Sequence, residues 1–253
     1  MNKILISFAT SDKWSRSQHA LNESSIKNGF THYISYNPNN IDVNFVSRHR
    51  KILNNSTRGY GFWMWKAAIL KQTLDIVNDG DIVAYVDSGN TIVNNLNYIF
   101  NECQAHDIVL FDNRDGNPYG QIHTNRLWTK RDTFVLMDLD EEKYYDTPQA
   151  DGSYQFYKKT KYTNQFIEEY MQYCENENII TDLPNITKDN LPEFKDHRHD
   201  QSILSLMAVK HNIKLYPEPS EWEITCNARI RSYSGIIEEY FNEIFNYTRK
   251  RKT

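Results

Sequence analysis

The sequence predicts a single α/β domain built on a mostly parallel central sheet, and three observations carry that prediction. Up to about residue 115 the chain alternates strand-like and helix-like segments, as a doubly wound sheet does. Asp81 to Val86 is a nearly continuous apolar run of strand length, the pattern of a strand covered on both faces. The 253 residues, 39% hydrophobic and 25% charged, supply a sizeable core, and no internal repeat or Gly/Ser linker divides them.

The elements follow in order. Ile4 to Thr10 is apolar and β-prone, and Ser11 to Asn28, with Ala20, Leu21 and Ile26 spaced along a polar stretch, reads as a helix. Thr31 to Tyr36 is a second strand, closed by Asn37-Pro38-Asn39-Asn40. Phe62 to Val77 carries Trp63, Ala67, Leu70, Leu74 and Val77 at helical spacing and stops at Asn78-Asp79-Gly80. After the Asp81 to Val86 strand, a helix over about Leu96 to Ala105 leads to a strand at Ile108 to Phe111. The rest is less regular: a helix over Thr160 to Cys174, a polar Pro-containing connection from Ile179 to Phe194, a helix over Gln201 to His211, a short strand at Ile213 to Tyr216 and a last helix over Ile236 to Tyr247.

Composition excludes several classes. Formal net charge is −4, so there is no global basic field for nucleic acid. Cys103, Cys174 and Cys226 are odd in number and widely separated, which points to buried thiols in a reducing compartment rather than a disulfide framework or zinc ribbon. The first ten residues hold too short an apolar run for a signal peptide, and no stretch approaches the roughly 18 apolar residues of a membrane span. A cytoplasmic protein is the expectation.

In open α/β sheets ligands bind beyond the carboxyl ends of the strands, and Asp87 directly follows the buried Val86. One carboxylate there can bridge a hard divalent cation to phosphates, or it can simply cap the following turn. Upstream, Arg58 and Lys66 bracket four aromatic residues, Tyr60, Phe62, Trp63 and Trp65, which can pair phosphate charge with a stacking wall or be plain core packing with charged ends. The stretch Arg58-Gly59-Tyr60-Gly61-Phe62-Trp63-Met64-Trp65-Lys66, a helix, then Asn78 to Val86 and Asp87-Ser88-Gly89 resembles the nucleotide-sugar region of GT-A-fold glycosyltransferases. In that family a helix bearing a basic residue precedes a strand that ends in Asp-x-Asp. The resemblance implies a Rossmann-like, mostly parallel sheet flanked by helices, with residues 1–115 as the nucleotide-sugar half, 116–235 as a less regular acceptor-side half and 236–253 as a C-terminal helix and basic tail. It implies a donor site of Thr10, Arg58, Lys66, Tyr85, Val86, Asp87 and Ser88. Gly89 stands where the second, metal-binding Asp would be, so Mn²⁺ or Mg²⁺ held by Asp87 would need another ligand.

Asp196-His197-Arg198-His199-Asp200-Gln201 precedes an apolar helical stretch, and such a density of ligating and proton-accepting groups at a helix start marks a second candidate cluster. His199 is the candidate to join Asp87 as a metal ligand, because neutral imidazole suits Mn²⁺. Asp200-Gln201 resembles the Asp-Gln pair that opens the corresponding helix in several GT-A families, so Asp200, as base or sugar-positioning carboxylate, and Gln201 are the expected catalytic residues. A capping Asp with basic neighbours is the plainer reading. Trp128, Gln149 and Asp151 fall where the acceptor side of the resembled families lies, though Trp128 anchoring a surface helix and Asp151-Gly152 forming a turn fit equally. Asp138 to Glu142 reads as a solvated acidic run. The apolar stripe from Ile236 to Phe245 before Arg249-Lys250-Arg251-Lys252 would suit peripheral contact with an anionic membrane, or a helix docked on its own domain.

The function these residues point to is a nucleotide-sugar-dependent glycosyltransferase, a hexosyltransferase by resemblance, acting on a glycan or glycoconjugate acceptor. A metal-dependent phosphohydrolase using His197, His199, Asp200 and Asp87, and a catalytically silent sugar- or nucleotide-binding module, are the alternatives.

Overall fold

The strand β3 (Ile82–Val86) is buried over all five residues, and its side chains alternate between two apolar layers. Val83 and Tyr85 enter one core, while Ile82, Ala84 and Val86 enter the other, which is why the run reads as continuously apolar. A computed structural model of the chain describes residues 1–56, 58–113, 122–221 and 245–247. In it β1 (Lys3–Phe8) lies between β3 and β2 (His32–Tyr36), parallel to both. On the other side of β3 comes β6 (Ala150–Lys158), antiparallel to β3 and to β5 (Ile108–Asp112), and then β7 (Leu215–Tyr216), parallel to β5. The sheet order is β2-β1-β3-β6-β5-β7, a mostly parallel sheet with one reversed strand, flanked by helices on both faces.

The reversed strand corrects the expected turn at Asp151-Gly152. Both residues open β6 and both are buried. The strand is concealed in the sequence by Asp151, Ser153 and Gln155, yet its alternation is regular: Tyr154 and Phe156 join the core shared with α1 and α4, and Tyr157 joins the opposite one. Here α1 is Asp12–Lys27 and α4 is Asn97–His106, both close to their expected bounds.

The other face carries α2 (Val43–Asn55), α3 (Trp65–Leu74), α8 (Lys161–Cys174) and α10 (Asp200–Lys210). Helix α2 was not expected. Its start is capped by Asp42, whose carboxylate accepts the Phe45 N–H at 2.8 Å, and its buried positions are only Phe45, Ile52 and Leu53. Helix α3 begins three residues later than expected, because Phe62 and Trp63 have φ of +52° and +60° and the chain makes a single 3₁₀ turn over Gly61–Trp63 first. Helix α10 is buried nearly all round, including Ser202 and Ser205, as a helix inside the fold must be.

Short helices α5 (Asn125–Trp128), α6 (Arg131–Leu136), α7 (Glu142–Tyr145) and α9 (Glu177–Ile180) fill the segment that the sequence shows as irregular. Within it the acidic run is not simply solvated: Asp140 accepts from Tyr145 Oη at 2.9 Å and pairs with Arg131 and Lys188 at 2.6 and 2.7 Å. Of the expected last helix, 236–244 lies outside the described residues, as do the basic tail and Cys226. Its end, Phe245–Tyr247, is a strand, β9, antiparallel to β4 (Asn90–Ile92) and parallel to β8 (Ser220–Glu221), so edge pairing wins over helical spacing there. Cys103 and Cys174 are buried free thiols, as expected, and no helix among the described residues is long and apolar enough to cross a membrane.

Candidate active site

The site starts from two glycines. Gly59 has φ of +55°, and a Cβ there would lie 2.6 Å from the Trp63 indole; Gly61 has φ of +61°, and a Cβ would lie 2.5 Å from Leu53 Cδ2. Only glycine meets both demands. The loop is tied by Ser56, whose Oγ accepts the Gly61 N–H at 2.7 Å and donates to the Gly59 carbonyl at 3.1 Å. This winding sets Tyr60, Trp63 and Trp65 along a cavity of about 670 Å³ and drops Lys66, in the first turn of α3, to its floor. That volume is in the range of small-molecule sites.

At the floor Lys66 and Asp200 are each 3% exposed, and Lys66 Nζ lies 2.6 Å from Asp200 Oδ2. The ammonium also donates to the Gly152 carbonyl at 2.9 Å and sits 4.8 Å from the centre of the Tyr85 ring. Burial opposes its charge, but the carboxylates of Asp200, Asp87 and Asp151 outweigh that and hold the amine above its usual pKa. Burial also pushes Asp200 upward against the pull of Lys66, with Asp87 adding to the rise. The direction that decides the neutral-pH state is that of Lys66: a cation set among carboxylates, making an ion pair with Asp200. Tyr170 Oη donates to the Asp200 carbonyl at 3.2 Å.

Period-two alternation along β3 puts Asp87 on the same face as Tyr85. The Tyr85 hydroxyl donates to Asp87 Oδ1 at 2.5 Å and so fixes its rotamer, while the carboxylate faces the cavity. Asp151, at the adjoining start of β6, is 4% exposed; burial lifts it to about 6 despite hydrogen bonds from Ser153.

The rim is arranged differently. Arg58 makes a two-pronged pair with Asp196, both bonds 2.8 Å, and lies 3.6 Å from Asp182. Arg198 lies with its guanidinium carbon 4.2 Å from the centre of the Trp128 ring, and among the described residues it has no carboxylate partner. His199 enters α10 with φ of +53° and ψ of −118°, its ring packed against Phe62, Trp63 and His197 and fully buried. Its Nδ1 hydrogen-bonds the Ile180 carbonyl at 2.8 Å.

Of the residues expected from sequence, Thr10, Arg58, Lys66, Tyr85, Asp87, Ser88, His199, Asp200 and Gln201 all line this one cavity. Val86 does not; it points into the core beneath. Gln149 and Asp151 are buried beside the floor rather than in the lining. Gln149 is an anchor: its Oε1 accepts from Gln201 Nε2 at 2.8 Å, and Gln201 Oε1 in turn accepts the Gly152 N–H at 3.3 Å. Trp128 supports Arg198 from below. His197 leaves the set altogether, because Nε2 donates to the Ile179 carbonyl at 2.8 Å and Nδ1 accepts the Lys130 N–H at 3.3 Å, a neutral buried ring outside the cavity lining. The four-residue phosphohydrolase set is therefore not assembled. Tyr60 lines the cavity as a member of the expected aromatic wall, whereas Trp14, Asn54 and Arg198 line it without having been expected there. Only Arg198 left a signal, its place in the Asp196 to Gln201 cluster.

As a site for Mn²⁺ or Mg²⁺ the donors fit poorly. Among the described residues no three His, Cys, Asp or Glu side chains converge to hold an ion. His199 has one ring nitrogen on a carbonyl, and the other is buried 3.7 Å from Asp182. The positive charge beside Asp87 and Asp200 is the ammonium of Lys66.

No protein-family model matches the sequence, and no curated protein matches it significantly. Solved structures with a similar chain path include mouse xyloside xylosyltransferase 1, 10% identical over 99% of this chain and 98% of that one, at a TM-score of 0.48. A glycosyltransferase involved in glycosylation of the major capsid of PBCV-1 is 9% identical over 99% and 96%, at 0.49. The glycosyltransferase GlyE of Streptococcus pneumoniae TIGR4 is 14% identical over 83% of this chain and 44% of its own, at 0.37, so the chain spans less than half of that protein. No residue role follows from likenesses at this level.

Proposed function

We propose that this chain is a glycosyltransferase that moves a sugar from a nucleotide diphosphate sugar to a hydroxyl of a glycan or glycoconjugate, with Asp87-Ser88-Gly89 as a variant of the Asp-x-Asp motif. The observation that carries this reading is the polarity of the cavity: a carboxylate-rich floor of Asp87, Asp200 and the adjoining Asp151 around one ammonium, and a rim bearing Arg58 and Arg198. Glycosyl transfer separates charge in the matching sense, with positive charge growing on the sugar and negative charge on the departing diphosphate. A preorganised field of that shape stabilises both ends at once.

In this reading Asp87 and Ser88, at the carboxyl end of the central strand, and Thr10, at the end of the first, hold the donor. Asp200 acts as a negative charge fixed beside the sugar, its Oδ2 held by the ammonium of Lys66. Gln201, braced by Gln149 and by the Gly152 N–H, positions the sugar. Tyr60, Trp63 and Trp14 offer ring faces to the base or sugar.

Thermal unfolding against a panel of nucleoside diphosphates and nucleotide sugars, with and without Mn²⁺, tests the reading, because a ligand selective for the native state must raise Tm. Selective stabilisation by one nucleotide family, with release of its diphosphate on incubation, is expected. Stabilisation with no turnover in the presence of any glycan acceptor would replace the transferase by a silent binding module. No shift with any nucleotide would overturn both.

A further inference from the structure

Among the described residues three cations, Arg58, Lys66 and Arg198, line the cavity, and two are already committed. Lys66 is held by Asp200 and the Gly152 carbonyl, and Arg58 by the carboxylate of Asp196 with Asp182 nearby. Arg198 is the remaining one. Its backbone N–H is shared between the Trp128 carbonyl and Ser202 Oγ, both at 3.1 Å, while its guanidinium lies over the Trp128 ring and, among the described residues, makes no ion pair.

That platform is rigid. The Trp128 carbonyl accepts from Ser202 Oγ at 2.7 Å and from Gln149 Nε2 at 3.3 Å, and Arg126, two residues earlier, is pinned by Asp146 at 2.7 Å. A guanidinium held over an aromatic ring can still turn N–H groups toward a ligand, and its planar fork matches two oxygens of a phosphate. Partial burial, with Arg58 close by, lowers the Arg198 pKa against the influence of Asp196, a carboxylate whose two oxygens are both bonded to Arg58. An arriving anion supplies the missing partner.

We propose that Arg198, carried on Trp128, binds the diphosphate of the ligand by direct contact, with no divalent cation between them. The inference rests on the nucleotide-sugar reading for the identity of the anion. Its physical basis is separate: one rim cation that makes no ion pair with a carboxylate among the described residues, and a floor where an ammonium already stands among the carboxylates.

The test is calorimetric titration of the full chain with inorganic pyrophosphate in the presence of EDTA, followed by competition with nucleoside diphosphates. Wild type should bind pyrophosphate in EDTA, Arg198→Gln should bind about ten- to a hundredfold more weakly, the loss of a charge-assisted hydrogen-bonded pair, and Arg198→Lys should lie between. Arg58→Gln, which removes a cation that already has a partner, should change the affinity less than Arg198→Gln. Unchanged Tm in Arg198→Gln and Arg198→Lys separates lost binding from lost packing. Equal affinity of wild type and Arg198→Gln, or binding that appears only when Mn²⁺ is added, would overturn the proposal. If pyrophosphate binds in an Arg198-dependent way while no nucleotide or nucleotide sugar competes, the anion site stands and the nucleotide-sugar reading fails. If a nucleotide sugar is turned over with Arg198 irrelevant to binding, the reverse holds.

Discussion

At the floor of the cavity Lys66 and Asp200 are 2.6 Å apart with side chains 4% and 5% exposed, whereas at the rim Arg58 and Asp196 meet at 2.8 Å with side chains 30% and 40% exposed. The contacts have similar lengths, but water decides what each is worth. A buried pair has lost its solvation and depends on its partner for survival, so its geometry is fixed by the fold. A pair at the rim is screened, and its charges can be lent to a ligand at small cost. The molecule thus holds a rigid electrostatic floor and an adaptable rim within one cavity.

Breaking the floor should cost most. Lys66→Met leaves Asp200, Asp87 and Asp151 without their shared cation and is expected to lose about 3–5 kcal/mol of stability. Adding Asp200→Asn should recover part of that loss, and chemical denaturation of the single and double variants measures the difference. No recovery in the double variant would show that Lys66 acts through packing rather than charge.

A smaller effect, and one of opposite sign, is expected at Asp151. Its folded-state pKa of about 6 lies above the usual 3.8, so between those values the folded chain binds more protons than the unfolded one, and stability falls as pH rises through that window. Asp151→Asn should therefore raise Tm by a few degrees at about pH 7 and hardly at all at about pH 4. A Tm difference independent of pH would refute the assignment.

The smallest effect belongs to the rim. Arg58→Gln should cost about 1 kcal/mol or less, and the loss should shrink further in high salt, because the pair it breaks is partly solvated. A cost as large as that of Lys66→Met would erase the distinction between the two regions.

The floor was more legible in the sequence than the rim. Asp87 follows an unbroken apolar strand, Lys66 sits among aromatic and apolar residues, and Asp200 opens a mostly apolar helix that is buried nearly all round; each is a local pattern set by burial. What was hidden depends on distant partners. Arg58 and Asp196 are 138 positions apart, and nothing near Arg198 announces that Trp128 lies beneath it. Strand β6 was hidden for a related reason: Asp151, Ser153 and Gln155 read as loop, but each polar group finds a bond within the fold, Gln155 through the Gly152 carbonyl and the Tyr157 hydroxyl. His197 and His199 looked like ligands because unpaired imidazoles and imidazoles tied to backbone carbonyls have the same sequence.

Whether the chemistry sits at this floor is decided by release of nucleoside diphosphate from a panel of nucleotide sugars by wild type, Asp87→Ala and Asp200→Ala, each checked by Tm for an intact fold. Wild type is expected to turn over one nucleotide-sugar family, and both variants to lose this activity while still folded. Folded variants that release diphosphate as fast as wild type would contradict the placement of the chemistry at this floor.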